Sequence, residues 1–225
     1  MKRTFKFIGY FSLTILGLIF IVRFTNLFQY YKAPTIANEP NIIVNSSMLG
    51  SKFINPNRLD FIWFMGETPY GRNLNIYRLC GLEGDTIEIR NGTLFINSKD
   101  IDKELKLNHN YLVTLSELEN IRSLIAIDLG FVQTVSKDTV SVPLSDEFVE
   151  ENNIKANRII HPKNYKDSLI ASKYNKVWNQ DNFGPIVVPK NSYFVLGDNR
   201  HNAQDSRYRG FIDKADYSST VFWKQ

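Results

Sequence analysis

Between Gly197 and Gly210 the chain places Asp198, Arg200, Asp205 and Arg207 within ten residues. Two carboxylates and two guanidiniums at this spacing can close planar, bidentate ion pairs. A loop tied in that way is stiff, and stiff loops hold active-site geometry. The same residues on a solvated turn would add little to stability, and residue types alone leave both readings open. Other chemistry is sparse. Cys80 is the single cysteine, so no internal disulfide can form, and in its apolar surroundings it reads as a small buried hydrophobe. His109, His161 and His201 stand apart from one another and read as surface or satisfied residues, with His201 the neighbour of the charged loop. No metal, nucleotide or flavin motif is present, so no cofactor is expected. The formal charge of +4 comes without a long basic block, which excludes a nucleic-acid surface.

The elements that must carry the loop read as short strands. Ser192–Leu196 runs into it and is stopped by Gly197-Asp198-Asn199. Asp60–Phe64 and Ile76–Leu79 are further strands, and Thr86–Ile96 is a hairpin turned by Asn91-Gly92, a pair suited to the positive φ of a type I′ turn. These four are expected in one antiparallel core. Residues 101–176 read as a mixed α/β insertion on that core. Thr114 caps a helix to Leu124, with Glu117 three residues on, and Ser145 to Asn152 opens in the same way. Helix is otherwise expected only at the start of the chain. There, the sixteen residues from Phe7 to Val22 carry no charge, Arg23 can snorkel, and the apolar run resumes through Phe28. The span of about 20 residues is enough to cross a bilayer. No small-x-small cleavage site follows, so residues 1–28 read as a retained anchor, not a removed leader. Lys2, Arg3 and Lys6 before it place the N-terminus in the cytoplasm and residues 29–225 on the outer face of the membrane.

Three boxes carry a resemblance. Gly197-Asp198-Asn199-Arg200 is followed by Asp205-Ser206-Arg207 and Gly210, Tyr77-Arg78 by Gly81 and Gly84-Asp85, and Pro56 by Arg58, Asp60 and Phe61-Ile62-Trp63-Phe64. In this order, after an N-terminal anchor, the chain resembles bacterial type I signal peptidases, the S26 serine peptidases. The likeness covers most of residues 1–97 and 178–214. It implies an antiparallel β-core and endoproteolytic removal of signal peptides from exported proteins. It also implies signal peptides or other extended segments, together with membrane lipid, as partners.

The resemblance further implies a serine nucleophile and a lysine base whose pKa burial must lower. Two registers compete for the serine box. Pro34-Thr35-Ile36-Ala37 through Pro40 keeps both prolines and puts Ala37 at the nucleophile position; Asn45-Ser46-Ser47-Met48 keeps Ser-Met and makes Ser46 or Ser47 the nucleophile. Ala37 lies 40 residues before Tyr77 and Ser47 only 30, which favours Ala37. Arg78 and Gly81 put Tyr77 where the lysine belongs, and Ala203 stands where a serine orients that lysine. Thr35 takes the oxyanion-hole position, while Arg78, Asp198, Arg200, Asp205, Ser206 and Arg207 persist as scaffold. The implied product is a pseudopeptidase or a strongly altered enzyme. The alternatives are an active peptidase using Ser46 or Ser47 and a non-catalytic interaction module at the membrane. Ala37 and Tyr77 are expected across a cleft, with Ala203 beside Tyr77 and Arg78 paired to Asp198.

Overall fold

Asn91 and Gly92 both take positive φ, 49° and 77°, and fold the chain back on itself. Around such local turns a computed structural model describes residues 8, 10–17, 27–68, 71–125 and 129–225. Residues 10–17 are helical, but most of the anchor expected over Met1 to Phe28 lies outside the described residues. Among those described, no helix is long and apolar enough to cross a membrane.

The rest is mainly antiparallel β. The strands are β1 (Gln29–Lys32), β2 (Ser47–Ser51), β3 (Phe61–Thr68), β4 (Gly71–Gly81), β5 (Thr86–Arg90), β6 (Thr93–Ile96), β7 (Lys99–Asp100), β8 (Asn108–Thr114), β9 (Gln133–Thr134), β10 (Thr139–Ser145), β11 (Asn157–Arg158), β12 (Phe183–Val187), β13 (Ser192–Leu196), β14 (Ile212–Asp213) and β15 (Tyr217–Lys224). Among the described residues they form a seven-stranded sheet, β1-β2-β15-β3-β4-β13-β14, and two four-stranded sheets, β11-β8-β10-β9 and β12-β5-β6-β7.

Two expectations need correction. The Thr86–Ile96 hairpin does not join the sheet of β3, β4 and β13; it pairs with β12 and β7 instead. Its inward residues Ile87, Ile89, Leu94 and Ile96 build a second core, which the main sheet meets through Cys80, Phe194 and Leu196. Nor is helix confined to the two expected regions. Ser206–Arg209 is a single turn, opened by the Asp205 carboxylate accepting from the Arg207 N–H.

The caps at Thr114 and Ser145 stand as expected: each hydroxyl accepts from the N–H three residues on, in front of the helices Leu115–Leu124 and Asp146–Glu151. β8 and β10 with these helices enclose a core of their own around Tyr111, Ile121 and Val142. The helix Ser168–Tyr174 instead packs Ile170 into the core of the hairpin sheet.

Candidate functional site

Ala37 sits on a single 3-10 turn, Ile36–Asn38, clamped on three sides. Thr35 caps it, its hydroxyl accepting from the Ala37 N–H at 3.3 Å. The Asn38 amide donates to the Ile76 carbonyl at 2.9 Å, tying the turn to β4. The Asn199 N–H donates to the Ala37 carbonyl at 3.0 Å, tying it to the charged loop. Gly197 completes the contact. A Cβ placed on it would lie 2.4 Å from the Ala203 Cβ and 2.5 Å from the Ala37 oxygen, so only glycine lets the three segments close. Tyr77, Ala37 and Ala203 are 7%, 4% and 6% exposed and share one apolar cluster with Ile62, Phe64, Leu79 and Val195.

A cavity of about 430 Å³ opens beside them. Pro34, Thr35 and Ala37 line it from one segment, Asn73 through Tyr77 from β4, and Asn202, Gln204 and Arg209 from the loop. The Tyr77 phenol shares this lining with Gln204 and Arg209. Burial, with the Asp205 charge adding to it, pushes that phenol up to about 12 against the weaker pull of Arg209, Gln204 and Arg207. At neutral pH it is a neutral hydroxyl and no base. Ser46 and Ser47 are not in the cavity lining. Ser47 opens β2, its Oγ 2.7 Å from the Tyr30 hydroxyl. The Ser46 Oγ is buried without a hydrogen-bond partner among the described residues.

One edge of β4 is open here. β3 covers β4 on one side from Gly71 to Arg78, whereas β13 pairs on the other only with Arg78, Leu79 and Gly81. The Ile76 carbonyl, taken by Asn38, faces that second side. Residues two apart on a strand aim their backbone groups alike, so Leu74 presents its N–H and C=O there too.

The scaffold residues are fastened by buried ion pairs. Arg78 grips Asp198 through Nε and Nη2 at 2.7 and 2.5 Å and lies 4.2 Å above the Phe61 ring. Arg207 grips Asp205 at 2.9 and 2.7 Å, and the same carboxylate accepts the Gly197 N–H at 3.0 Å. The Ser206 Oγ accepts from the Val195 N–H. Arg200 leaves the loop's own acids and pairs with Asp102 at 2.6 and 2.5 Å. Asp102, Asn38 and Asn41 were not singled out by sequence; Asn41 donates to Asp198 at 2.7 Å.

The histidines are not isolated. Asp181 holds both His161 and His201 at 2.9 Å, and the His201 Nδ1 accepts the Asn110 N–H. The His109 ring stands 5.5 Å from that of His201, with its Nδ1 2.8 Å from Asp146 and its Nε2 taken by Arg158. Their separation in sequence hid this network. Cys80 is fully buried, as expected, and burial pushes its thiol up to about 12.

Comparison with known proteins agrees with the boxes. A family model described as "Signal peptidase, peptidase S26" matches residues 5–224. A signal peptidase I of Buchnera aphidicola subsp. Baizongia pistaciae is 28% identical, over 88% of this chain and 69% of the relative. A signal peptidase I P of Bacillus subtilis subsp. natto is likewise 28% identical, over 91% of this chain and 80% of the relative. A crystal structure of a signal peptidase I from Enterococcus faecalis aligns with 74% of this chain and 97% of that one, at 22% identity and a TM-score of 0.35.

Proposed function

This chain belongs to the S26 signal peptidase family, and on that premise we propose that it binds extended, small-residue segments of exported proteins without cutting them. The observation that carries the reading is the cavity beside Ala37. Its lining offers two hydroxyls, Thr35 and Tyr77, and no amine or imidazole to activate either. A hydroxyl is a weak nucleophile until a base takes its proton, and the buried phenol of Tyr77 is not that base. Thr35 and the backbone around it supply oxyanion-type donors, which bind a peptide carbonyl as readily as they would stabilise a transition state. The open side of β4 at Leu74 and Ile76 accommodates an added strand, the mode by which extended peptides gain main-chain hydrogen bonds. On this reading residues 1–28 anchor the chain in the cytoplasmic membrane, with the β-domain on its outer face.

The test is cleavage of a preprotein ending in an A-x-A site by the full chain in detergent. Three proteins are compared: the wild type, Ser46→Ala/Ser47→Ala, and Ala37→Ser/Tyr77→Lys/Ala203→Ser. The wild type should bind and not cleave, a deficit on the order of 10⁴–10⁶ relative to a complete site, while the triple variant gains cleavage. Robust wild-type cleavage that the Ser46/Ser47 variant abolishes would make this a working enzyme of the second register.

A further inference from the structure

The cavity beside Ala37 contains one formal charge, and it is positive. Arg209 lines it, and no aspartate or glutamate does. The other three arginines at this end, Arg78, Arg200 and Arg207, are each held by a carboxylate. Arg209 is not. Its Nη1 donates to the Glu67 carbonyl at 3.2 Å and to the Asn75 side-chain oxygen at 3.1 Å. Both acceptors are neutral, and among the described residues no acid pairs with it. A guanidinium has five N–H donors, so Nε and Nη2 are left to a ligand. Beside it the lining holds further donors, the side-chain amide of Gln204 and the hydroxyls of Tyr77 and Thr35, whereas the amides of Asn73 and Asn202 donate within the protein, to Gly71 and to Asn110 and Asn199.

A half-buried, unneutralised guanidinium among donors is a poor lining for an alanine methyl and a good one for an oxyanion. We infer that Arg209 makes this cleft selective for a peptide carboxylate. The acceptor is either an acidic side chain within the bound segment or the free C-terminus of a peptide. The inference rests on the reading that the cleft binds an extended segment. Within that reading it names the chemistry of the ligand: main-chain hydrogen bonds along β4 supply general affinity, and the charge-assisted bond to Arg209 supplies the choice.

The experiment is calorimetric titration of the full chain in detergent with N-acetylated alanine-rich hexapeptides. One arm carries a single glutamate at each position in turn, with an amidated C-terminus. A second carries glutamine in its place, also amidated, and a third is the glutamine peptide with a free C-terminus. A charge-assisted hydrogen bond corresponds to a preference of about tenfold or more. The best carboxylate peptide should therefore exceed its neutral twin by that factor at low salt, and less in 0.5 M NaCl. The arm that wins identifies the carboxylate's source. Arg209→Gln should erase the preference, so that the acidic peptide and its neutral twin bind alike whatever their common affinity, and Arg209→Lys should keep part of it. Equal binding of neutral and acidic peptides by the wild type would overturn the inference and leave the peptide-binding reading standing. Binding of no peptide would overturn both. A preference that survives in folded Arg209→Gln would also overturn it; should that variant fail to fold, the wild-type preference and its salt dependence decide.

Discussion

Gly197→Ala tests the closure of the site directly. The backbone at Gly197 is not in the positive-φ region, so alanine meets no conformational penalty there and the whole effect is steric. The new methyl would lie 2.4 Å from the Ala203 Cβ and 2.5 Å from the Ala37 carbonyl oxygen. Non-bonded carbons rest about 3.5–4.0 Å apart, so each contact is short by about 1 Å. Neither obstacle can rotate away. One is a Cβ fixed to the backbone, and the other is a carbonyl held by the Asn199 N–H. The strands and loop must move, and overpacking of this kind costs about 1–3 kcal/mol; with both neighbours rigid we expect the upper end. Urea unfolding followed by tryptophan fluorescence should show the midpoint lowered by about 1–2 M at unchanged slope. Ala203→Gly removes one of the two obstacles, so Gly197→Ala should cost at least about 1 kcal/mol less in that background, a coupling within the range for residues in contact. A neutral Gly197→Ala, or a cycle without coupling, would mean that the segments bearing Ala37, Gly197 and Ala203 do not meet, and the site as described would fall.

Asp198→Ala leaves the Arg78 guanidinium buried without its carboxylate and should cost about 3–5 kcal/mol by chemical denaturation, whereas an exposed pair such as Lys106–Glu147 should be near neutral to break. Acid should destabilise the fold through its histidines. Burial pulls His109 down to about 4 and lowers His201 as well, each against an opposing carboxylate, Asp146 and Asp181. The unfolded chain therefore binds these protons more tightly, so stability is full above about pH 6.5 and falls toward pH 4. His109 alone should lose about 1 kcal/mol between pH 7.5 and 5.5, read as a falling urea midpoint that His109→Gln makes shallower; a midpoint that rises on acidification would reverse the assignment. The Cys80 thiol, fully buried and pushed up to about 12, should resist a maleimide in the native protein and react on unfolding; fast native labelling would contradict its burial.

What could be read from sequence was local. Asn91-Gly92 forces its turn through the φ of two adjacent residues, and Thr114 and Ser145 cap helices three residues away. Which sheet the hairpin joins depends on β12, nearly a hundred residues on, and no period within 86–96 encodes that partner. The helix Ser206–Arg209 is one turn, too short for a periodic signal, and rests on a single cap. Arg78 and Asp198, 120 residues apart, could be paired only through the family resemblance. Asp102, which takes Arg200, and Asp181, which joins two histidines, lie in stretches whose residue types suggest nothing. Arg209 escaped for another reason: it falls on an unspecified position between Arg207 and Gly210, and only the cavity gives it meaning.

On the proposed reading, the difference between what persists and what is replaced at this site has a physical logic of its own. A lysine at position 77 would need its ammonium desolvated and a hydroxyl to orient it, both costly unless catalysis uses them. Tyrosine fills that volume with an aromatic ring and a single polar atom, which burial keeps neutral. Alanine at 203 removes a hydroxyl that would otherwise sit buried against Tyr77 in need of a partner. The ion pairs behave differently. Arg78–Asp198 and Arg207–Asp205 are buried on both sides, and removing one member strands the other whether or not a peptide is ever cut. Stability alone therefore retains the charged loop, while only catalysis would retain a nucleophile and its base. On the proposed reading, the boxes that identify the family are those the fold needs, and the three positions that depart from it are those the fold can do without.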